Sequence, residues 1–175
     1  MVLTAVLLAV VATACGGDDA RPREQVKAAL TDYFDQYLAV HQDVNGQIVA
    51  LKTKYPKSYI DVTDKSTADI QQTKDSYKEY IALFDEFDTR VRALDPPEEI
   101  RDLVQQVLEA DQAVSAINHD RLTKLEAAST IADVDPIFAD DPAYTSAVSR
   151  TVELCTSMTE RASQFDYDLA LPCRG

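Results

Sequence analysis

Thirty acidic residues against 17 basic ones in 175 give the chain a formal net charge of −13. A surface of that sign repels phosphate backbones and anionic headgroups, which argues against nucleic-acid binding and against flat docking on an acidic membrane. Four glycines and no tryptophan argue against a β-rich or low-complexity protein, and the length suits one domain with a real hydrophobic core.

The first element is the uncharged apolar run from Val2 to Ala14, much shorter than the roughly 20 apolar residues a membrane-spanning helix needs. It closes in Ala12-Thr13-Ala14-Cys15 and gives way at once to Gly16-Gly17-Asp18-Asp19. This segment resembles the lipobox of exported bacterial lipoproteins, and its Cys-Gly-Gly-Asp-Asp start is similar to those common in actinobacteria. The resemblance covers only the first twenty or so residues. It implies cleavage before Cys15, a diacylglyceryl group on the Cys15 sulfur, and anchoring by acyl chains in the lipid bilayer on the extracytoplasmic face of the cell membrane; two or more chains hold a protein stably. Residues 1–14 are then an export signal peptide and residues 15–21 a lipidated, glycine-rich flexible tether. The run departs from an export signal in one respect, for no Lys or Arg precedes it, and the expected translation start is therefore upstream. Ala12-Thr13-Ala14 also fits ordinary small-x-small cleavage, which would release a secreted protein.

Residues 22–175 read as a helical domain. The first helix is expected from about Pro22, a good first-turn residue, to Tyr55 before Pro56. Val26, Leu30, Tyr33, Tyr37, Val40, Val44, Ile48, Leu51 and Tyr55 form a stripe at spacings of three and four. Asn45-Gly46 has the composition of a turn, but the stripe continues in register beyond it, so one continuous helix is the reading, at about 1 kcal/mol for the glycine. A second helix is expected from about Ser66 to Leu94, with Ile70, Thr73, Tyr77, Tyr80, Phe84, Phe87, Val91 and Leu94 on its inner face.

Asp95-Pro96-Pro97-Glu98 predicts a stop and a new start, with Asp95 as cap and Pro96 in the first helical position. Ile100, Leu103, Val107, Val114, Ile117, Leu125 and Ala128 carry the third stripe, interrupted by Asp111 and Arg121. The pattern breaks from Asp133 to Asp141, and Asp141-Pro142 repeats the device of cap and proline. Tyr144, Val148, Thr151, Cys155, Met158, Ala162 and Phe165 carry the fourth stripe, ending near Tyr167. Each stripe is buried only against the others, which predicts an all-α, up-down-up-down antiparallel four-helix bundle. Cys155 lies about 18 Å along the helix from Tyr167, and the chain from Tyr167 to Cys173 reaches about 20 Å when extended. A C-terminal tail folded back on the last helix can therefore deliver Cys173 to Cys155. That disulfide is expected in an exported protein, with a stabilisation of roughly 3 kcal/mol.

The candidate sites are few. Metal sites in bundles use Glu-x-x-His pairs, but Leu38 and Ala116 stand three residues before His41 and His119, so no metal or other cofactor is expected. The aspartates Asp133, Asp135, Asp140 and Asp141 lack the central glycine and spaced oxygens of a calcium loop and read as turn and cap chemistry. No Gly-x-Ser-x-Gly, His-Glu-x-x-His or phosphate-loop motif is present, and a non-catalytic protein is the expectation. The first hairpin is rich in rings, with Tyr37 near the level of Phe84. Tyr33, Tyr37, Tyr77, Tyr80 and Phe84 are the candidate ligand-binding set, against the plainer reading of core packing. Gln105, Asp111 and Ser115 are the expected partners for the tyrosine hydroxyls. The expected function is an envelope module that binds a partner protein, with a carrier or sensor of a small apolar ligand held between helices as the alternative. A ligand carrier requires an internal cavity, and a partner-binding module an exposed apolar patch.

Overall fold

The computed structural model describes residues 22–139 and 141–169. Cys15, the tether, Asp140 and Cys173 lie outside the described residues, and so do the lipid attachment and the predicted partner of Cys155. Cys155 itself does not stand as a free thiol.

The described chain is all-helical. Helix α1 spans Arg23–Lys54, α2 Ile70–Arg92, α3 Arg101–Ala127, the single-turn α4 Asp135–Phe138, and α5 Pro142–Ser163. Among the described residues no helix is long and apolar enough to cross a membrane. Helix α1 packs on α2, α2 on α3, and α3 on α5. Each pair is antiparallel, because partner numbers fall on one element as they rise on the other, Asp111 and Arg121 of α3 meeting Thr151 and Tyr144 of α5. Asp43 meets Arg90 at 2.5 Å and Lys54 meets Glu79 at 2.6 Å, while Arg92 reaches the Leu108 carbonyl and Tyr77 reaches Asn118.

Helix α1 runs unbroken through Asn45-Gly46, as the stripe requires. Gly46 is exposed, and a Cβ there meets nothing within 4 Å, so no contact demands the glycine. Helix α2 begins at Ile70 rather than near Ser66. Asp64 takes Ser66 into a 3-10 turn, accepting from its N–H at 3.0 Å and its hydroxyl at 2.7 Å. Asp69 then supplies the cap, accepting from the Gln72 N–H at 2.8 Å, which meets one of the orphan donors of the first turn. The junction at Asp95 is also corrected. Asp95 caps nothing; a 3-10 turn over Glu98–Ile100 follows Pro97, and α3 starts at Arg101. The second proline is the reason, since a residue before proline is pushed out of the helical region and Pro96 therefore cannot open a helix.

Between α3 and α5 the acidic stretch is ordered by its own side chains. The Asp133 carboxylate accepts from the Ser129 and Thr130 N–H groups at 2.9 and 2.8 Å, which hold its pKa below the usual range. Asp141 caps α5 as expected, accepting from the N–H groups of Ala143 and Tyr144 at 2.9 and 3.2 Å. Helix α5 closes with Asp166 at φ 60°. The Asp166 N–H donates to the Ser163 carbonyl at 3.1 Å and the Tyr167 N–H to Ala162 at 3.2 Å, the paired bonds of a Schellman turn. Beyond it Leu169 is buried in the core and Tyr167 stacks on Phe34, while the Tyr167 hydroxyl donates to Asp35 at 2.6 Å.

Two apolar clusters result. The larger joins all four long helices through residues such as Leu30, Phe34, Ile100, Val104, Leu154, Met158 and Ala162. The smaller, around Tyr77, Ile81, Leu125 and Val134, is completed by Phe138 of α4 and by Tyr59 of the first connection rather than by α1.

Candidate functional site

Of the clefts between the helices, two are each lined by two rings of the predicted set. The first, of about 260 Å³, is lined by Tyr37, His41 and Ile48 of α1, Phe84 and Phe87 of α2, Val107 and Asp111 of α3, and Thr151, Cys155 and Met158 of α5. The second, of about 350 Å³, is lined by Leu51 and Ile60, by Ser76, Tyr77 and Tyr80 of α2, by Asn118 and Arg121 of α3, and by Phe138 and Tyr144. Ile48 borders both.

The five rings predicted as one site are therefore divided. Tyr37 and Phe84 face the first cleft, and Tyr77 and Tyr80 the second. Tyr33 is 3% exposed within the larger core, and its hydroxyl finds no hydrogen-bond partner among the described residues. The α2 ring paired with Tyr37 is Phe87, at 6.0 Å between centroids in a T-shaped pair, and Phe84, expected near the level of Tyr37, lines the same cleft.

The predicted hydroxyl partners are occupied elsewhere. Gln105 bonds to Glu109, and Ser115 donates to Asp85 at 3.3 Å. Asp111 accepts from the Thr151 hydroxyl at 3.4 Å. The partner that Tyr77 uses is Asn118, whose side-chain oxygen accepts at 3.0 Å. Neither histidine belongs to a metal set. His41 is half-buried against Phe87, and burial lowers its pKa; His119 is exposed and sits 3.1 Å from both Asp85 oxygens. No group of three or more potential metal ligands occurs among the described residues.

The first cleft holds an unusual carboxyl. Asp111 is 5% exposed, and its pKa is pushed up to about 7, first by burial and then by the Asp88 carboxylate, against the opposing effects of Thr151 and Arg92. Asp88 is raised as well, by its own burial, and one of its oxygens is buried without a partner among the described residues. Asp111 thus keeps its proton, and with it the capacity to donate, to higher pH than an ordinary aspartate does. In the second cleft, the Arg121 guanidinium lies 3.9 Å from the centre of the Tyr144 ring and 5.9 Å from that of Phe138, a desolvated cation–π arrangement, and its outer nitrogen stands 3.6 Å from Asp141.

Asp88, Asn118, Phe138 and Tyr144 were not singled out from sequence as site residues, and Asp111 and Arg121 appeared mainly as interruptions of the third stripe. The signal was their spacing. Val107, Asp111, Val114, Asn118, Arg121 and Leu125 continue the alternation of four and three, so polar side chains occupy seam positions, where each must find a partner or face a cavity.

The fold and clefts define a small all-helical protein with openings between its helices. Comparison with protein-family models, curated proteins and solved structures gives no match.

Proposed function

We propose that this chain is a non-catalytic binding module of the bacterial envelope, tethered to the membrane through lipidated Cys15, that holds a small apolar ligand between its helices. The architecture we infer is an up-down-up-down four-helix bundle in which the tail after Leu169 brings Cys173 to Cys155. The antiparallel pairing of α1 with α2, α2 with α3 and α3 with α5 supports the bundle.

The observation that carries the ligand reading is the cleft of about 260 Å³ to which all four long helices contribute. Ile48, Phe84, Phe87 and Met158 supply an apolar wall, and Asp111 and Thr151 supply a small polar end, the composition typical of small-molecule sites. A solvatochromic dye titrated into the protein is expected to bind saturably, and Phe84→Ala, which strips one wall, to weaken binding. Non-saturable binding, or a Phe84→Ala variant that binds as the native protein does, counts against this reading.

A partner protein is the second reading. Val49 and Ile60, 56% and 46% exposed, are the apolar side chains that favour it, and a co-extracted protein in stoichiometric amount would support it.

A further inference from the structure

We propose that the second cleft, around Arg121, binds the carboxylate of a small aromatic acid. Asn118 and Arg121 are 2% and 7% exposed and stand three residues apart on α3, hence on one face. The Asn118 oxygen accepts from the Tyr77 hydroxyl, while the Arg121 guanidinium lies over the Tyr144 ring, pairs at 3.6 Å with Asp141 and acts on the Tyr77 hydroxyl. The amide nitrogen of Asn118 and the Nε of Arg121 are both buried and both without a partner among the described residues. Each is a donor, so the missing group is an acceptor. Two N–H donors on one helix face suit the two oxygens of a carboxylate, and a donor left unmet in the interior carries a cost that such a ligand removes.

The rest of the cleft suits an aromatic body. Tyr77 and Tyr80 stack at 6.0 Å between centroids, and Phe138 stands edge-on to Tyr77 at 5.1 Å. The volume of about 350 Å³ lies in the range of small-molecule pockets. Charge is balanced there although the chain as a whole is acidic. Lys52 and Asp61 line the cleft 3.8 Å apart, and Arg121 faces Asp141, so an entering anion meets no unopposed carboxylate. The site adjoins the Phe84 cleft, sharing Ile48 with it, but its unpartnered donors belong to Asn118 and Arg121, which do not line that cleft.

The test is calorimetric titration of the full chain with 2-naphthoate and with 2-methylnaphthalene, which keeps the ring and lacks the acceptor. The native protein is expected to bind 2-naphthoate at least about tenfold more tightly. Asn118→Asp retains an oxygen for the Tyr77 hydroxyl and exchanges the donor for a like charge, so it should abolish that preference. Equal affinity for the two probes, the absence of saturable naphthoate binding, or undiminished naphthoate binding by a folded Asn118→Asp protein overturns the proposal. The comparison of probes on native protein is decisive even if that variant does not fold.

Discussion

The two halves of helix α3 face the interior differently, the first with apolar side chains alone and the second with a mixture, Val114 and Leu125 beside three polar residues. From Ile100 to Ala110 the buried side chains are apolar: Val104, Val107, Leu108 and Ala110, packed with Leu30, Phe34 and Ala162 in one continuous core. From Asp111 onward the same face buries Asp111, Asn118 and Arg121, and two clefts open beside them. One helix thus anchors most of the larger core with its first half and contributes its buried polar side chains to the two clefts with its second. Apolar side chains close a seam by filling it, whereas a buried polar side chain needs a partner with defined geometry and leaves space where the partner comes from outside the chain.

The largest effect should come from the packed half. Phe34 is fully buried, and Phe34→Ala is expected to destabilise by about 3–5 kcal/mol, read as a fall in the denaturant midpoint at unchanged slope. A loss under 1 kcal/mol would mean that this end is not the better packed one.

Asp111 tests the other half through pH. Its folded pKa is raised to about 7 above an unfolded value near 3.9, so the native state holds the proton more tightly. Its contribution is favourable below about pH 4 and is lost progressively as pH rises through about 7. Asp111→Asn, which keeps an acceptor for Thr151, should be about as stable as the native protein at pH 4 and roughly 2–4 kcal/mol more stable at pH 8. Asp88, Arg92, Tyr37 and Thr151 act on this carboxyl, so the titration belongs to the cluster. Stability curves of the two proteins that run parallel from pH 4 to 8 would place Asp111 in contact with water.

Smaller effects sharpen the boundary between the halves. Asp141 both caps α5 and faces Arg121, and Asp141→Ala should cost about 1–2 kcal/mol in a thermal melt. Gly46 lies on the exposed side of α1 beside the clefts, where a methyl group meets open space. Gly46→Ala should therefore stabilise by up to about 1 kcal/mol, and a destabilising effect would show that α1 needs to bend there.

The helices were legible in the sequence because amphipathic periodicity is a local property: α1 continues through Asn45-Gly46, and Asp141-Pro142 opens α5 as its composition indicates. Helix starts were less legible where several caps compete. Asp64, Asp69 and Asp95 are each plausible caps by type, and only the geometry of Ser66 and of Pro96-Pro97 decides among them. The site was legible only in part. Tyr37, Tyr77, Tyr80 and Phe84 do line clefts, but their division between two depends on the register of α2 against α1, set by the connection over residues 55–69. Asp111 and Arg121 were visible as interruptions of a stripe, and their meaning depends on whether a partner stands opposite, which is a tertiary fact.

The proposed ligand is a small molecule held in the clefts beside the second half of α3. A native mass spectrum of the protein extracted gently from its own host's membrane, without reductant, tests it most directly. The account predicts the chain from Cys15 with lipid on that residue, the mass loss of one disulfide, and a further non-covalent small-molecule adduct that dissociates at raised collision energy. A spectrum of the lipidated chain without any small-molecule adduct, accompanied by a stoichiometric protein partner, would contradict it.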